Sequence, residues 1–259
     1  MRKRKIRFLL LVILLSAVFV VSGIQIWDEL AARQKDKNEF KELAVLVETS
    51  QPDSVPWPEV DAEDGGEATE PAGAEEILRN LSALFARNNE CIGWLSIPDT
   101  AVNYPVMHTP DSPQKYLRRS FYGEYSVSGV PFLDSRCALD GDNLIFYGHN
   151  MRDGTMFAGL RGYTDPAFCT EHGKIVLQTA DGLTKCEVFA VVVTNNVDPW
   201  YAFTTAENEE AYGEAVSAIL AQASYSSGVI PEYGQQLLTL STCYGSSKSG
   251  RLLVIAAAS

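Results

Sequence analysis

Three residues of this sequence carry side chains suited to nucleophilic chemistry, and each lies at the end of a predicted β-strand. Cys243 ends the apolar run that begins at Leu237, and Arg251 opens the next apolar run. The glycines and serines between the two runs predict a turn, so the strands would be antiparallel neighbours with Cys243 and Arg251 at one end of a sheet. A cation beside a thiol favours the nucleophilic thiolate and can stabilise the oxyanion that forms when sulfur attacks a carbonyl.

The third residue is His149, which ends the predicted strand over residues 143–150 in a Gly-His-Asn turn. An imidazole exchanges protons near neutral pH and is the commonest general acid or base. The contexts of His108 and His172 do not single them out. Each of the three residues alone also has an ordinary structural explanation: a buried thiol, a solvated edge cation and a structural histidine. Their shared placement at strand ends favours a cysteine nucleophile assisted by a histidine and an arginine.

The charge distribution argues against nucleic acid as a partner. The formal charge of the 259 residues is −12, and five of the 21 basic residues lie within the first seven positions. A strongly acidic body lacks the basic patches that phosphate binding needs. There is also no glycine-rich phosphate loop and no cluster with metal-ligand spacing, so we predict neither a metal nor another cofactor.

The N-terminal quarter predicts a membrane-anchored protein. Residues 1–7 form a basic tail, and residues 8–27 form an apolar run that is long enough to span a bilayer as a helix. The positive-inside rule places the tail in the cytoplasm and residues after about 27 outside it. We prefer an uncleaved anchor to a cleaved signal peptide, the alternative, because the run is long and no cleavage site follows closely. Residues 28–74 predict a stalk helix followed by an acidic, proline-rich linker.

Residues 75–259 predict one mainly β domain. A short helix ends near Arg87, about eight strands follow, and a helix over residues 205–223 is inserted before the penultimate strand. Because helices and strands do not alternate, this order indicates a closed or nearly closed β-barrel. The five cysteines are an odd number without a C-x-x-C motif, so at least one is free unless chains pair covalently.

Two sequence blocks resemble the class B sortases of Gram-positive bacteria. They are Tyr147-Gly148-His149-Asn150-Met151 with its continuation to Phe157, and Thr239-Leu240-Ser241-Thr242-Cys243 with the arginine that opens the next strand. The resemblance extends over residues 75–259. It implies an eight-stranded sortase-type β-barrel with N-terminal helices and a cysteine transpeptidase activity. Such enzymes cut a C-terminal sorting motif, of the Asn-Pro-x-Thr kind or a variant, after threonine and pass the acyl group to an amine.

The resemblance also implies roles and partners. Cys243 would be the nucleophile, His149 the acid and base, and Arg251 the group that holds the substrate and the oxyanion. We expect Ser241, Thr242, Asn150 and Tyr244, which flank these residues, to bind the substrate. The expected partners are surface proteins that carry a sorting motif and an amine on a peptidoglycan precursor or a pilin. The loop after Cys243 is shorter than in many sortases, which affects the surface beside the site.

Two other functions fit part of the same pattern. A thiol peptidase or amidase would use the same nucleophile and acid or base but release the acyl group to water. A membrane-tethered β-domain that only binds wall components would not need the thiol of Cys243. The three matching strand-end residues favour the transpeptidase.

Overall fold

The structure, a computed structural model, describes residues 2–49 and 80–259, so the predicted proline-rich linker and the beginning of the predicted helix at residue 75 lie outside the described residues. Within the described residues the chain forms nine strands. They are β1 Cys91–Ser96, β2 Asn103–Met107, β3 Phe132–Leu133, β4 Asn143–Tyr147, β5 Lys174–Thr179, β6 Gly182–Asn195, β7 Tyr225–Ser226, β8 Leu237–Cys243 and β9 Gly250–Ala258.

Eight of these strands close into a barrel, which confirms the predicted fold class. Neighbours run in the order β5, β1, β2, β3, β4, β8, β9, β6, and β6 pairs back with β5. The short strand β7 is added to β6 outside the ring. Most neighbours are antiparallel, but β2 with β3 and β4 with β8 are parallel. Closure leaves no free sheet edge among the eight strands of the ring.

Four α-helices accompany the barrel in the described residues: α1 Arg2–Thr49, α2 Ser82–Arg87, α3 Pro166–Glu171 and α4 Glu209–Leu220. Helix α4 begins later than the sequence predicted. Its N-cap is Asn208, whose side chain accepts a hydrogen bond from the Ala211 amide, and an asparagine suits that position well. A further segment, Pro199–Ala202, forms a single turn of 3₁₀-helix between β6 and α4.

The first half of α1 is apolar and exposed. Its side chains, among them Phe19 and Trp27, point away from the rest of the protein. By length and composition this helix could cross a membrane, although a signal sequence near an N-terminus passes the same test. The helix therefore fits a single-pass membrane anchor.

The second half of α1, which the sequence predicts to be a stalk helix, packs against the barrel. Phe40, Leu43 and Val47 are buried in the same core as the barrel strands. The Phe40 ring packs edge-to-face on Tyr104 of β2, with centroids 5.1 Å apart. Mixed charge along these residues is typical of a solvated helix, but an apolar stripe at a spacing of three to four residues is enough to bury one face. This half of the helix belongs to the folded domain.

We expect replacement of Leu43 by alanine to destabilise the whole domain. Its side chain is fully buried, and a buried leucine truncated to alanine costs about 2–5 kcal/mol. The measurement is the free energy of unfolding of the full chain in detergent micelles, from a denaturant titration monitored by tryptophan fluorescence. Val45→Ala on the exposed side of the same helix is the control, because its side chain is 55% exposed. Equal stability of the two variants would contradict the docking of α1.

Candidate active site

The parallel pair β4–β8 brings His149 and Cys243 to one end of the barrel. Tyr147 is the register partner of Ser241, and His149 and Cys243 each lie two residues further along. The pairing continues past the end of β4, since the Gly148 amide donates to the Ser241 carbonyl at 3.2 Å and the Thr242 hydroxyl donates to the Gly148 carbonyl at 2.7 Å. The backbone of the histidine turn is thus fixed on the strand that carries the cysteine.

The antiparallel pair β8–β9 places Arg251 on the other side of the cysteine. Cys243 and Arg251 are register partners at the end of this pair, as the sequence predicted. Neighbouring strands lie about 4.8 Å apart. The strand of Cys243 therefore has the strand of the histidine on one side and that of the arginine on the other.

Cys243 differs from the other four cysteines in its surroundings. All five thiols are free, and Cys243 is exposed whereas the others are buried. Burial raises the pKa of Cys91, Cys137 and Cys169 to about 11 and that of Cys186 to about 12. Because the thiolate is the reactive form, the four buried thiols are inert at neutral pH, and the accessible thiol is that of Cys243.

The imidazole of His149 is held by one backbone carbonyl. Its Nε2 lies 2.9 Å from the Leu117 oxygen, which can only accept, so Nε2 carries a proton and Nδ1 is the basic nitrogen of the neutral ring. Burial lowers the pKa of His149; the Leu117 carbonyl opposes this shift, and the nearby charge of Arg118 adds to it. The neutral imidazole is thus favoured near pH 7, with Nδ1 ready to accept a proton.

The glycine before His149 is required by packing. A Cβ on Gly148 would lie 2.5 Å from the ring of Phe157, and that ring is fully buried. Phe157 in turn donates its amide to the His149 carbonyl at 2.9 Å. A larger residue at position 148 would displace the turn that carries the histidine.

The guanidinium of Arg251 is bound only to backbone oxygens in the part of the chain that the structure describes. Its Nη1 donates to the carbonyls of Lys248 and Gly250 at 3.0 and 2.8 Å. No carboxylate forms an ion pair with it among residues 2–49 and 80–259. Its remaining N–H groups can bind a carbonyl oxygen or an oxyanion of a ligand.

Two of the expected substrate-binding residues point into the protein. Ser241 and Thr242 are only 1% and 2% exposed. The Ser241 hydroxyl lies 2.7 Å from that of Tyr201, and the Thr242 hydroxyl binds Gly148. Both faces of β8 are covered, one by the barrel interior and the other by the 3₁₀ turn at Pro199–Ala202. The two hydroxyls therefore brace the strand in this structure.

The other two expected substrate-binding residues lie at the rim. The Asn150 side-chain amide donates to the Cys243 carbonyl at 2.8 Å, so it ties the histidine turn to the cysteine. Tyr244 is half-buried, and its amide donates to the Gly250 carbonyl at 3.0 Å, which closes the short loop to Arg251. Contact of Asn150 and Tyr244 with substrate stays a prediction.

Tyr201 lies beside the candidate site, a position that the sequence did not reveal. Burial raises the pKa of its phenol, the Ser241 hydroxyl and the charge of Arg251 oppose the shift, and Asp198 and Cys243 add to it. Arg251 and Cys243 are thus both within electrostatic range of this one hydroxyl. Its ring stacks on Tyr147, with centroids 6.0 Å apart. The Asp-Pro pair that starts the 3₁₀ turn is a helix-start signal that could have placed it.

The described residues contain no group of three or more histidine, cysteine or acidic side chains that could hold a metal. A cavity of about 920 Å³ is present, but it lies at the opposite end of the barrel. Its lining includes Ser96, Lys174 and Ser259, from the ends of β1, β5 and β9 that are remote from Cys243. It is therefore not part of this site.

Comparison with known proteins agrees with the fold and with the strand-end residues. A sequence model of the sortase domain matches residues 95–259. Sortase B of Listeria monocytogenes is 34% identical over 172 residues, which are 65% of this chain and 68% of that protein.

Two solved structures extend this likeness. Sortase B from B. anthracis superposes with a TM-score of 0.71 at 27% identity, covering 88% of this chain and 98% of that one. Staphylococcus aureus sortase B, solved as a substrate complex, gives 0.64 at 28% identity and covers 69% of this chain and 84% of that one. The residues that match the family model include His149, Cys243 and Arg251. The chain therefore belongs to the sortase family, as a class B sortase, and sortases are cysteine transpeptidases.

Proposed function

We propose that this sortase cleaves a C-terminal sorting motif, of the Asn-Pro-x-Thr kind or a variant, after threonine and transfers the new acyl end to an amine. The observation that carries the proposal is the strand register, which sets His149 and Arg251 on the two sides of Cys243. The acceptor would be an amine of a peptidoglycan precursor or a pilin. S. aureus sortase B has been solved as a substrate complex, which supports a substrate of the same class for this chain.

The residues would divide the first half of the reaction as follows. The Cys243 thiol gives its proton to the basic Nδ1 of neutral His149, which leaves a thiolate and an imidazolium. The thiolate attacks the threonine carbonyl, and Arg251 donates hydrogen bonds to the oxyanion that forms. The carbon–nitrogen bond then breaks, and His149 as imidazolium gives a proton to the leaving amine. The product is a thioester on Cys243 and a free amine.

In the second half, the incoming amine attacks the thioester carbonyl. Neutral His149 takes the proton that the amine loses, through Nδ1, because Nε2 is bound to Leu117. The carbon–sulfur bond breaks and an amide forms. The departing sulfur takes the proton from His149, which restores the thiol of Cys243 and the neutral imidazole. A thioester is already activated, so this exchange of one amide for another needs no nucleotide or other cofactor.

We also propose that the first half of α1 anchors the enzyme in the cell membrane, with the N-terminus cytoplasmic and the catalytic domain extracellular. The length and composition of the helix support a membrane span, and the basic residues before it support this orientation. Accessibility of Cys243 to a membrane-impermeant thiol reagent on intact cells would test the orientation. Labelling only after lysis would contradict it.

The direct test of the proposed function is intact-mass spectrometry of the full chain in detergent micelles with a panel of sorting-motif peptides. We expect an adduct whose mass equals that of the N-terminal peptide portion, and its mass identifies the motif. If no peptide in a broad panel gives an adduct or is cleaved, the proposed substrate class is wrong.

The competing thiol hydrolase would form the same adduct, so the product distinguishes the two. A transpeptidase should convert the adduct to an amide when an amine such as triglycine is added, and should do so faster than it releases acid. A rate that does not depend on the amine would favour the hydrolase.

We expect the second half of the reaction to depend on the pKa of His149. In the acyl-enzyme the sulfur of Cys243 is bound in the thioester and cannot titrate, so the histidine and the amine are the groups that matter. Because burial lowers the pKa of His149, its neutral form persists below the usual histidine range and is lost only as the pH falls through this lowered value. Aminolysis of the isolated acyl-enzyme should therefore decline on the acid side at a pH below the ordinary histidine pKa. Rates measured by quenched mass spectrometry would show this decline, and the decline should be absent in His149→Gln. Protonation of an α-amine acceptor gives a separate decline near pH 8.

Arg251→Lys should reduce acyl-enzyme formation by about ten- to a hundredfold. Lysine keeps the charge but lacks the planar fork that can bind two backbone carbonyls and still donate to an oxyanion. Removal of a single oxyanion donor costs about 10²–10³ in rate in a well-studied protease. The measurement is the single-turnover rate at saturating peptide, with Lys248→Ala as the control for lost charge in the same loop. An unchanged rate in Arg251→Lys would exclude the proposed role.

A further inference from the structure

The docked half of α1 makes its polar contacts mainly with one stretch of chain, residues 115–129, which we name the histidine-support segment. The Asp36 carboxylate accepts hydrogen bonds from the Ser126 hydroxyl at 2.8 Å and from the Ser128 amide at 3.1 Å. Glu39 accepts from the Phe121 amide at 2.8 Å. Asp36 is only 5% exposed, and a carboxylate so deeply buried needs such partners.

The histidine-support segment also provides the carbonyl that holds the catalytic imidazole. Leu117 lies in it, and its oxygen accepts from His149 Nε2 at 2.9 Å. Within the described residues, no other hydrogen bond to this ring is found. The orientation of the imidazole therefore depends on where the Leu117 carbonyl is placed.

A short series of contacts joins Asp36 to that carbonyl. The Ser126 hydroxyl, which donates to Asp36, also accepts from the Gly129 amide at 2.9 Å. Gly129 has a φ of +63° and packs so closely on the segment that a Cβ there would lie 2.7 Å from the Leu117 oxygen. The Ser126 amide donates to the Arg118 carbonyl at 3.1 Å, which links the two ends of the intervening loop. Ser126, which Asp36 binds, thus contacts two residues that lie beside the Leu117 carbonyl, Arg118 and Gly129.

The same helix touches the loop on the other side of His149. Lys37 forms an ion pair of 3.0 Å with Asp153, which lies four residues after the histidine. Phe40 packs on Tyr104, whose hydroxyl accepts from the Met156 amide at 3.0 Å. Helix α1 therefore borders the histidine turn through two separate sets of contacts.

We propose that Asp36 is a positioning residue for His149. Through Ser126 it holds the histidine-support segment in place, so that the orientation of the catalytic imidazole depends on the docking of the anchor helix against the barrel. The inference rests on the proposed role of His149 in proton transfer. If so, the docked half of α1 helps to position the catalytic histidine.

The test compares Asp36→Ala with Glu42→Ala in the full chain in detergent micelles. Both variants remove one carboxylate from the same helix, but Glu42 is exposed and does not contact the histidine-support segment. Two properties are measured: the single-turnover rate of acyl-enzyme formation as a function of peptide concentration, and the titration of His149 by NMR with histidine-selective ¹⁵N labelling. The chain has three histidines, so few signals arise.

In Asp36→Ala we expect the rate at saturating peptide to fall about tenfold or more, with half-saturation within about twofold of wild type, because misplacement of a catalytic group by 1 Å costs up to about 10²-fold. The pKa of His149 should fall further, since the Leu117 carbonyl favours the protonated ring. Asp36→Asn keeps an acceptor oxygen and should recover most of the rate. Glu42→Ala should match wild type in both measurements.

An Asp36→Ala variant that keeps both the wild-type rate and the wild-type titration of His149 would overturn the proposal, as would a lowered rate with an unchanged titration. If Asp36→Ala does not fold, Ser126→Ala breaks the same series of contacts and is judged by the same criteria. The NMR titration needs no substrate, so it tests the positioning of His149 even if wild type reacts with no peptide and the proposed function fails.

Discussion

Cys243→Ala should abolish the covalent adduct with sorting-motif peptides and lower peptide cleavage by about a thousandfold or more. Alanine removes the sulfur that we propose attacks the carbonyl, and no other thiol of the chain can replace it. The other four cysteines are buried and their pKa values are raised. Because nucleophile, acid and base act as a unit, loss of the nucleophile removes nearly the whole effect of that unit.

The matched control is Cys186→Ala, which deletes a buried sulfur on β6. It should keep the wild-type rate below its unfolding temperature, at the cost of a small loss of stability from the cavity. Alkylation of the native protein with iodoacetamide should modify one site in wild type and none in Cys243→Ala. Adduct formation by Cys243→Ala would show that the nucleophile is another residue.

His149→Gln should lower the rate of acyl-enzyme formation by about 10²–10⁴-fold, the usual range for a general acid or base. Glutamine is a sharper test than alanine because its amide can still donate to the Leu117 carbonyl, which accepts from His149 Nε2 at 2.9 Å. It cannot exchange a proton near neutral pH. A large loss in His149→Gln therefore reports proton transfer and not displacement of the turn.

His172→Gln provides the comparison for this prediction. The His172 ring packs against that of Phe168, with centroids 4.2 Å apart, and borders the cavity at the far end of the barrel. It should leave the rate unchanged. If His149→Gln reacts as fast as His172→Gln, the acid and base lie elsewhere, and the half-buried Tyr244 or the Tyr201 hydroxyl would have to be examined.

The strands and the three strand-end residues could be predicted because the signals are local. The apolar runs that form β8 and β9 are separated by a short glycine- and serine-rich turn, so the pairing of Cys243 with Arg251 follows from chain order. The pairing of β4 with β8 does not, because these parallel strands are distant in sequence and no turn links them. The family resemblance, and not the pattern of residues, placed His149 beside Cys243.

The surroundings of two sets of residues could not be predicted, for identifiable physical reasons. The first set lies in the docked half of α1, where the sequence predicts a stalk. Asp36, Lys37 and Glu39 are typical of solvated charges, yet their partners come from distant loops. The second set is Ser241 and Thr242, which the sequence does not show to be buried; their contact with substrate stays a prediction. Both faces of their strand are covered by other parts of the chain, which a single sequence does not show.

The continuity of α1 determines how far the candidate active site would lie from the membrane. The helix continues without interruption from the apolar half through Trp27 to the docked half. At 1.5 Å per residue, Lys37 and the loop that it binds lie about 15 Å along the axis beyond Trp27. In the proposed orientation, a continuous helix and not a flexible linker joins the membrane span to the catalytic domain. The candidate active site would therefore stay close to the membrane surface and keep one orientation. A substrate that is itself anchored in the bilayer would need only about five extended residues to span this distance of about 15 Å.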